Sequence, residues 1–124
     1  GPELYKRDPD LCCALRKVAP LSKALEPYAA WATGVRRADS PARANTPLVA
    51  WDGTRKLIRI APIAAWTDED VARYIEINAL MINPLLEDGY ASIGCEPCTS
   101  KASKDDPRAG RWAGFAKTEC GINL

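Results

Sequence analysis

Leu48-Val-Ala-Trp-Asp-Gly-Thr-Arg-Lys-Leu-Ile-Arg-Ile60, followed by Thr67-Asp-Glu-Asp-Val-Ala-Arg-Tyr-Ile-Glu-Ile-Asn78, carries two hydrophobic periods in one stretch. Leu48 to Trp51 and Lys56 to Ile60 are apolar alternating runs on either side of Asp52-Gly53. That is a hairpin signal with a slightly lengthened loop. Ala61-Pro62 ends the second run. From Thr67 the period changes: Val71, Tyr74, Ile75 and Asn78 fall on one helical face. Thr67 is placed to cap, and Asp70, three residues on, completes a capping box. Strands followed by a helix make α/β the expected class.

Upstream, Tyr28-Ala-Ala-Trp-Ala-Thr-Gly-Val35 reads as a short strand stopped by Gly34, and Arg36 to Pro47 as a polar loop. Leu11, Leu15 and Val18 recur at helical spacing in the stretch Leu11 to Leu25. Asp10 is the expected N-cap, and Pro20 is expected to end or kink the helix. Downstream of Pro84 the chain becomes loop-like, expected to be disordered or organised by a ligand or another chain.

The chain has 124 residues, 17 basic and 16 acidic, with 47% apolar and 27% charged positions. These values suit one globular domain, and a net charge of +1 argues against a general nucleic-acid binder. No apolar run approaches the roughly 18 residues of a membrane span, and no signal-peptide pattern opens the chain. A cytoplasmic location is the expectation. The first residue is Gly, so a processed end or an internal start is expected. There is no histidine. A Ser-His-Asp triad and a Cys/His zinc site are thereby excluded within these residues.

The five cysteines divide into an adjacent pair, Cys12-Cys13, a Cys95-Glu-Pro-Cys98 motif, and Cys120 in Thr118-Glu-Cys-Gly121. An odd number without a secretory signal argues against a disulfide framework. Cys-x-x-Cys on a Gly-preceded loop lets two thiolates turn toward one centre. Adjacent cysteines diverge by about 100° on a regular helix but can converge at a helix start, where the dipole favours thiolates. Tetrathiolate zinc and an iron–sulfur cluster use the same donors, so spacing leaves both open. Cys120 is left over. Near Lys117 and downstream of Arg108 and Arg111, it is a candidate nucleophile with a lowered pKa, or else an inert tail thiol. Arg36, Arg37, Arg43, Arg108 and Arg111 lie in two polar loops, where forked guanidinium groups suit phosphate or sulfate.

The runs Cys12-Cys-Ala-Leu-Arg-Lys-Val-Ala-Pro20, Thr33-Gly-Val-Arg-Arg-Ala-Asp-Ser-Pro-Ala-Arg43, Gly94-Cys-Glu-Pro-Cys98, Asp106-Pro-Arg-Ala-Gly-Arg-Trp112 and Glu119-Cys-Gly121 together resemble the adenylyl-sulfate reductases, within the PAPS/APS reductase family. The resemblance runs in order over nearly the whole chain. It implies the C-terminal portion of an adenine-nucleotide α-hydrolase-like (PP-loop) fold, with residues 107–124 as a mobile catalytic tail. It implies a [4Fe-4S] cluster on Cys12, Cys13, Cys95 and Cys98, with zinc as the alternative. Lys17, Arg36, Ser40, Arg43, Arg108 and Arg111 would hold the phosphosulfate of adenosine 5′-phosphosulfate (APS). Cys120 would attack its sulfur, leaving an S-sulfonate that thioredoxin resolves to sulfite. The four ligand cysteines point to APS rather than its 3′-phosphorylated counterpart (PAPS).

Two departures accompany the resemblance. Asn123 stands where the family's tail usually has His. The family's N-terminal half, with its Gly-rich nucleotide loop, has no counterpart here, so the chain reads as a fragment, expected to be inactive or very weak alone, with swapping or self-association as the two ways its bare face could be covered. The competing expectation is a non-catalytic tetra-cysteine metal module with a structural or interaction role.

Overall fold

The computed structural model describes residues 2–123, which divide into two compact units. One comprises residues 2–20 and 82–122; the other comprises residues 21–81 together with Asn123.

The second unit is built on the hairpin. Strands β1 (Ala30–Ala32), β2 (Val49–Asp52) and β3 (Leu57–Ile60) form a sheet in the order β1-β3-β2. β2 and β3 are antiparallel, with Trp51 opposite Ile58 and Val49 opposite Ile60. β1 runs parallel to β3, with Ala30 opposite Ile58 and Ala32 opposite Ile60. The turn is locked by Asp52, whose Oδ1 accepts from the backbone N–H groups of Thr54 (3.1 Å) and Arg55 (3.0 Å). Its other oxygen receives the Arg55 guanidinium at 3.2 Å, both side chains being nearly buried. Arg55 also donates to Ser22 Oγ at 3.0 Å and lies over the Trp31 ring. Leu57, Ala61, Ala64 and Val35 supply this unit's buried core. On the opposite face of the sheet Val49, Trp51 and Ile58 are exposed.

The helix expected from Thr67 is present as Asp68–Ile77, numbered α4 below. Thr67 Oγ1 accepts from Asp70 N–H at 3.1 Å and Asp70 Oδ2 accepts from Thr67 N–H at 2.8 Å. Val71 and Ile75 are its half-buried positions, and Tyr74 packs on Trp66 with ring centroids 5.4 Å apart. The expected strand at Tyr28–Val35 is shorter than its apolar run. Only Ala30–Ala32 pair with β3, because the run leaves the sheet before Gly34.

In the first unit, α1 (Leu4–Arg7) is followed by α2 (Pro9–Cys13). Asp8 rather than Asp10 caps α2: its Oδ1 accepts from Leu11 N–H at 2.9 Å, and Pro9 takes the first helical position, where a missing N–H costs nothing. The helical path does not stop at Pro20. A π-wound stretch, Ala14–Val18, leads directly into α3 (Ala19–Leu25). Widening the turn ahead of a proline accommodates its ring and its absent donor without ending the helix. The division between the units falls within α3. From Ile82 to Ile122 the first unit is largely irregular. It contains short 3-10 turns at Pro84–Leu86 and Glu96–Cys98, and a single antiparallel bridge between Thr99 and Arg111. Among the described residues no helix is long and apolar enough to cross a membrane.

Candidate functional site

Cys12, Cys13, Cys95 and Cys98 line one cavity of about 320 Å³, together with Tyr5, Arg16, Lys17 and Trp112. The first pair is delivered by the last residues of α2 and the second by the 3-10 turn at Glu96–Cys98. None of the five cysteines is in a disulfide. Cys13 is buried, and burial pushes its thiol up, against the opposing charges of Lys117 and Lys17. Cys98 is raised for the same first reason, with Cys95 and Cys12 adding to the shift. Burial of Lys17 favours its neutral form. Its hydrogen bond to Cys95, and the charges of Cys95, Cys120 and Cys13, outweigh that and hold the ammonium protonated to higher pH. The tail that carries Cys120 reaches the same region: Lys117 donates to Asp10 and lies 5.4 Å from the Trp112 ring centroid, and Gly121 lies against Val18.

The loop carrying Cys95 is shaped by two glycines whose hydrogens leave no spare room. A Cβ on Gly94 would run into the Arg111 guanidinium, and one on Gly110 into the Ser100 carbonyl. That closeness lets Ser100 N–H donate to Gly110 O at 2.7 Å and Trp112 N–H to Cys98 O at 2.9 Å. Trp112 is thereby buried at 3% exposure. Its ring lies 4.7 Å from the Arg111 guanidinium and 5.4 Å from the Lys117 ammonium, a stacking of cations on an aromatic face.

Four thiols lining one cavity are a donor set that suits either an iron–sulfur cluster or a tetrathiolate zinc ion. Among the described residues no three Cys, Asp or Glu side chains are drawn together around one point. The indole N–H of Trp112, in the cavity wall, is buried without a partner among the described residues, as is Nε of Arg111. Unpaired buried donors beside thiols suit a group that brings acceptor sulfur.

The expected anion-binding residues fall into both units. In the first, Arg111 Nη1 donates to Ser92 Oγ at 3.2 Å, and Arg108 Nη2 donates to Thr118 O at 2.8 Å and reaches Glu119 at 3.5 Å. In the second, Arg36 Nη2 pairs with Asp68 at 2.8 Å and Asp39 at 3.0 Å, while Arg43 pairs with Asp39 at 3.3 Å. Ser40, between two 3-10 turns, has a buried hydroxyl without a partner among the described residues. Asn123 Oδ1 accepts from Thr33 Oγ1 at 2.8 Å, and its carbonyl accepts from Arg59. Sequence reasoning passed over Arg16, Trp112 and the glycine contacts. The glycines flanking Cys95 and Arg111 were the one available signal.

The family described as "Phosphoadenosine phosphosulfate reductase domain" matches residues 1–101. The chain belongs to this family. It is 57% identical to the adenosine 5′-phosphosulfate reductase of Mycolicibacterium smegmatis over 125 residues, covering 100% of this chain and 53% of that protein. With the enzyme of the same name from Streptomyces coelicolor it is 58% identical, covering 99% of this chain and 52% of the relative. A solved phosphoadenylyl-sulfate reductase from Candida auris, in complex with phosphate, superposes with a TM-score of 0.66 and 32% identity. That match covers 81% of this chain and 47% of the other. The chain thus spans about half the length of the curated relatives it matches. The family membership and the α/β architecture agree with the expectations drawn from the motifs.

Proposed function

We propose that this chain is the cysteine-bearing part of an APS reductase that forms sulfite and AMP through an S-sulfonate on Cys120, with thioredoxin as reductant, in the cytoplasm. The observation that carries the reading is the cavity lined by all four paired cysteines and Lys17, with the Cys120 tail attached beside it through Lys117 to Asp10. The names of the relatives support the substrate class.

The Cys120 thiolate attacks the sulfur of the sulfuryl group; an S–S bond forms, the S–O bond to phosphate breaks, and AMP departs with the electron pair. A dithiol reductant then attacks the S-sulfonate, sulfite leaves, and the disulfide ends on the reductant. Lys17, Arg108 and Arg111, in the unit that carries the cysteines, are the groups proposed to hold the phosphosulfate; Arg36, Ser40 and Arg43 are proposed anion-binding positions of the sheet unit. Fixed cations stabilise the charge that gathers on the phosphate as it leaves. Cys12, Cys13, Cys95 and Cys98 would hold a [4Fe-4S] cluster, which when bound supplies a rigid, charged anchor between α2 and the Cys95 loop.

The test joins this chain to the remaining half of a relative and measures thioredoxin-dependent sulfite release from APS. Cys120→Ser is expected to abolish release while iron, labile sulfide and visible absorbance stay unchanged. Normal turnover by that variant sinks the nucleophile assignment, and stoichiometric zinc in colourless protein prepared without oxygen sinks the cluster.

A further inference from the structure

We propose that Lys117 is a positioning residue, an ammonium clasp that fastens the Cys120 tail to the cysteine-bearing helix by pairing with Asp10. The importance of the clasp for catalysis rests on the function proposed for Cys120; the clasp itself does not.

Lys117 Nζ donates to Asp10 Oδ1, a pair separated by 107 positions in sequence. The two ends differ sharply in surroundings: the Lys117 side chain is 9% exposed and that of Asp10 80%. A cation withdrawn from water so far needs compensation, and Lys117 has it on two sides. The Asp10 carboxylate lies on one, and the face of buried Trp112 on the other, 5.4 Å from the ring centroid. Asp10 is available for this because Asp8 performs the capping of α2. It stands two residues before Cys12, so whatever holds Asp10 holds the helix that delivers the cysteine pair. Further contacts keep the same tail in place. Arg108 grips the Thr118 carbonyl, and Gly121 lies against Val18, where an added Cβ would be 3.5 Å from its Cγ2. Lys117 is therefore the link between the tail and α2, three residues before the thiol.

This assignment opposes the simpler reading in which Lys117 activates Cys120 by stabilising its thiolate. An activating lysine and a clasping lysine predict opposite signs for the reactivity of Cys120 once the charge is removed. Loss of activation leaves less thiolate and slower alkylation. Loss of the clasp frees the tail and speeds alkylation.

The experiment treats the 124-residue chain, prepared without oxygen, with brief pulses of iodoacetamide and reads the Cys120 adduct in the C-terminal tryptic peptide by mass spectrometry. Lys117→Ala and Asp10→Asn are each expected to accelerate the adduct by about threefold, the scale of one ion pair with an exposed partner. Lys117→Arg should retain the slow rate. Asp10→Asn changes an exposed carboxylate and keeps the test decisive if Lys117→Ala does not fold. Slower alkylation in Lys117→Ala, an unchanged rate in Asp10→Asn, or fast alkylation in Lys117→Arg overturns the clasp. None of these outcomes touches the sulfite assay, so failure of the clasp and failure of the proposed chemistry are read separately.

Discussion

The two units place their positive charge differently. In the sheet unit, Arg36 meets Asp39 and Asp68, Arg43 meets Asp39, and Arg55 meets Asp52, while the candidate Arg37 donates to the Thr46 carbonyl at 2.8 Å. In the cysteine unit, Lys17 hydrogen-bonds a thiol and Arg111 stacks on an indole and bonds a serine. Arg108 reaches Glu119 and a carbonyl of the tail. Lys6 with Glu3, Lys101 with Asp88 and Lys117 with Asp10 are further carboxylate pairs of this unit. The sheet unit fixes its turns with arginine–carboxylate pairs, whereas the cysteine unit shapes the Cys95 loop with close backbone approaches.

The largest break in this contrast is expected from Gly110→Ala. The new methyl must displace the Ser100 backbone rather than a mobile side-chain end, so the substitution should cost about 3 kcal/mol in chemical denaturation. It should also loosen Trp112 and the Cys95 loop while the sheet unit keeps its far-ultraviolet signature. Asp52→Asn is the counterpart in the sheet unit. It leaves the Arg55 guanidinium nearly buried and poorly neutralised, a loss of about 2 kcal/mol. The pH dependence of the wild type sharpens the point. Hydrogen bonds from Arg55 and Thr54 and the Arg55 charge hold the Asp52 carboxyl below the ordinary range, against the opposing effect of burial. A depressed folded-state pKa contributes stability that is fully present above the unfolded value and disappears as pH falls through the folded one. Acid titration of unfolding should therefore show a loss below about pH 4 that Asp52→Asn lacks. The smallest effect is expected at Thr67→Ala, about 1 kcal/mol, from the lost helix cap alone.

The same division explains what the sequence disclosed. The hairpin around Asp52-Gly53 and the Thr67 capping box depend on neighbours within a few residues, and both stand as read. The cysteine motifs were legible because donor spacing is local within each pair. Long-range relations were not. The parallel pairing of β1 with β3 joins segments 28 residues apart, as in Ala30 with Ile58, and leaves no periodic mark. Asp10 looked like a cap because it precedes the apolar run, yet Pro9 shifts the helix start and gives that duty to Asp8. Pro20 looked like a helix end because its ring clashes with a regular turn, and the wider winding at Ala14–Val18 removes the clash. The tail beyond Pro84 lacks any period at all. Its order comes from single contacts such as Lys117 with Asp10, which no spacing rule anticipates.

Trp112 has one more consequence, an optical one. Of the four tryptophans it is the buried one, and its indole is flanked by two cations and forms part of the cysteine cavity wall. Its emission should therefore respond both to filling of that cavity and to withdrawal of Lys117 from its ring. The protein carries its own fluorescent gauge of the site, with no dye to attach.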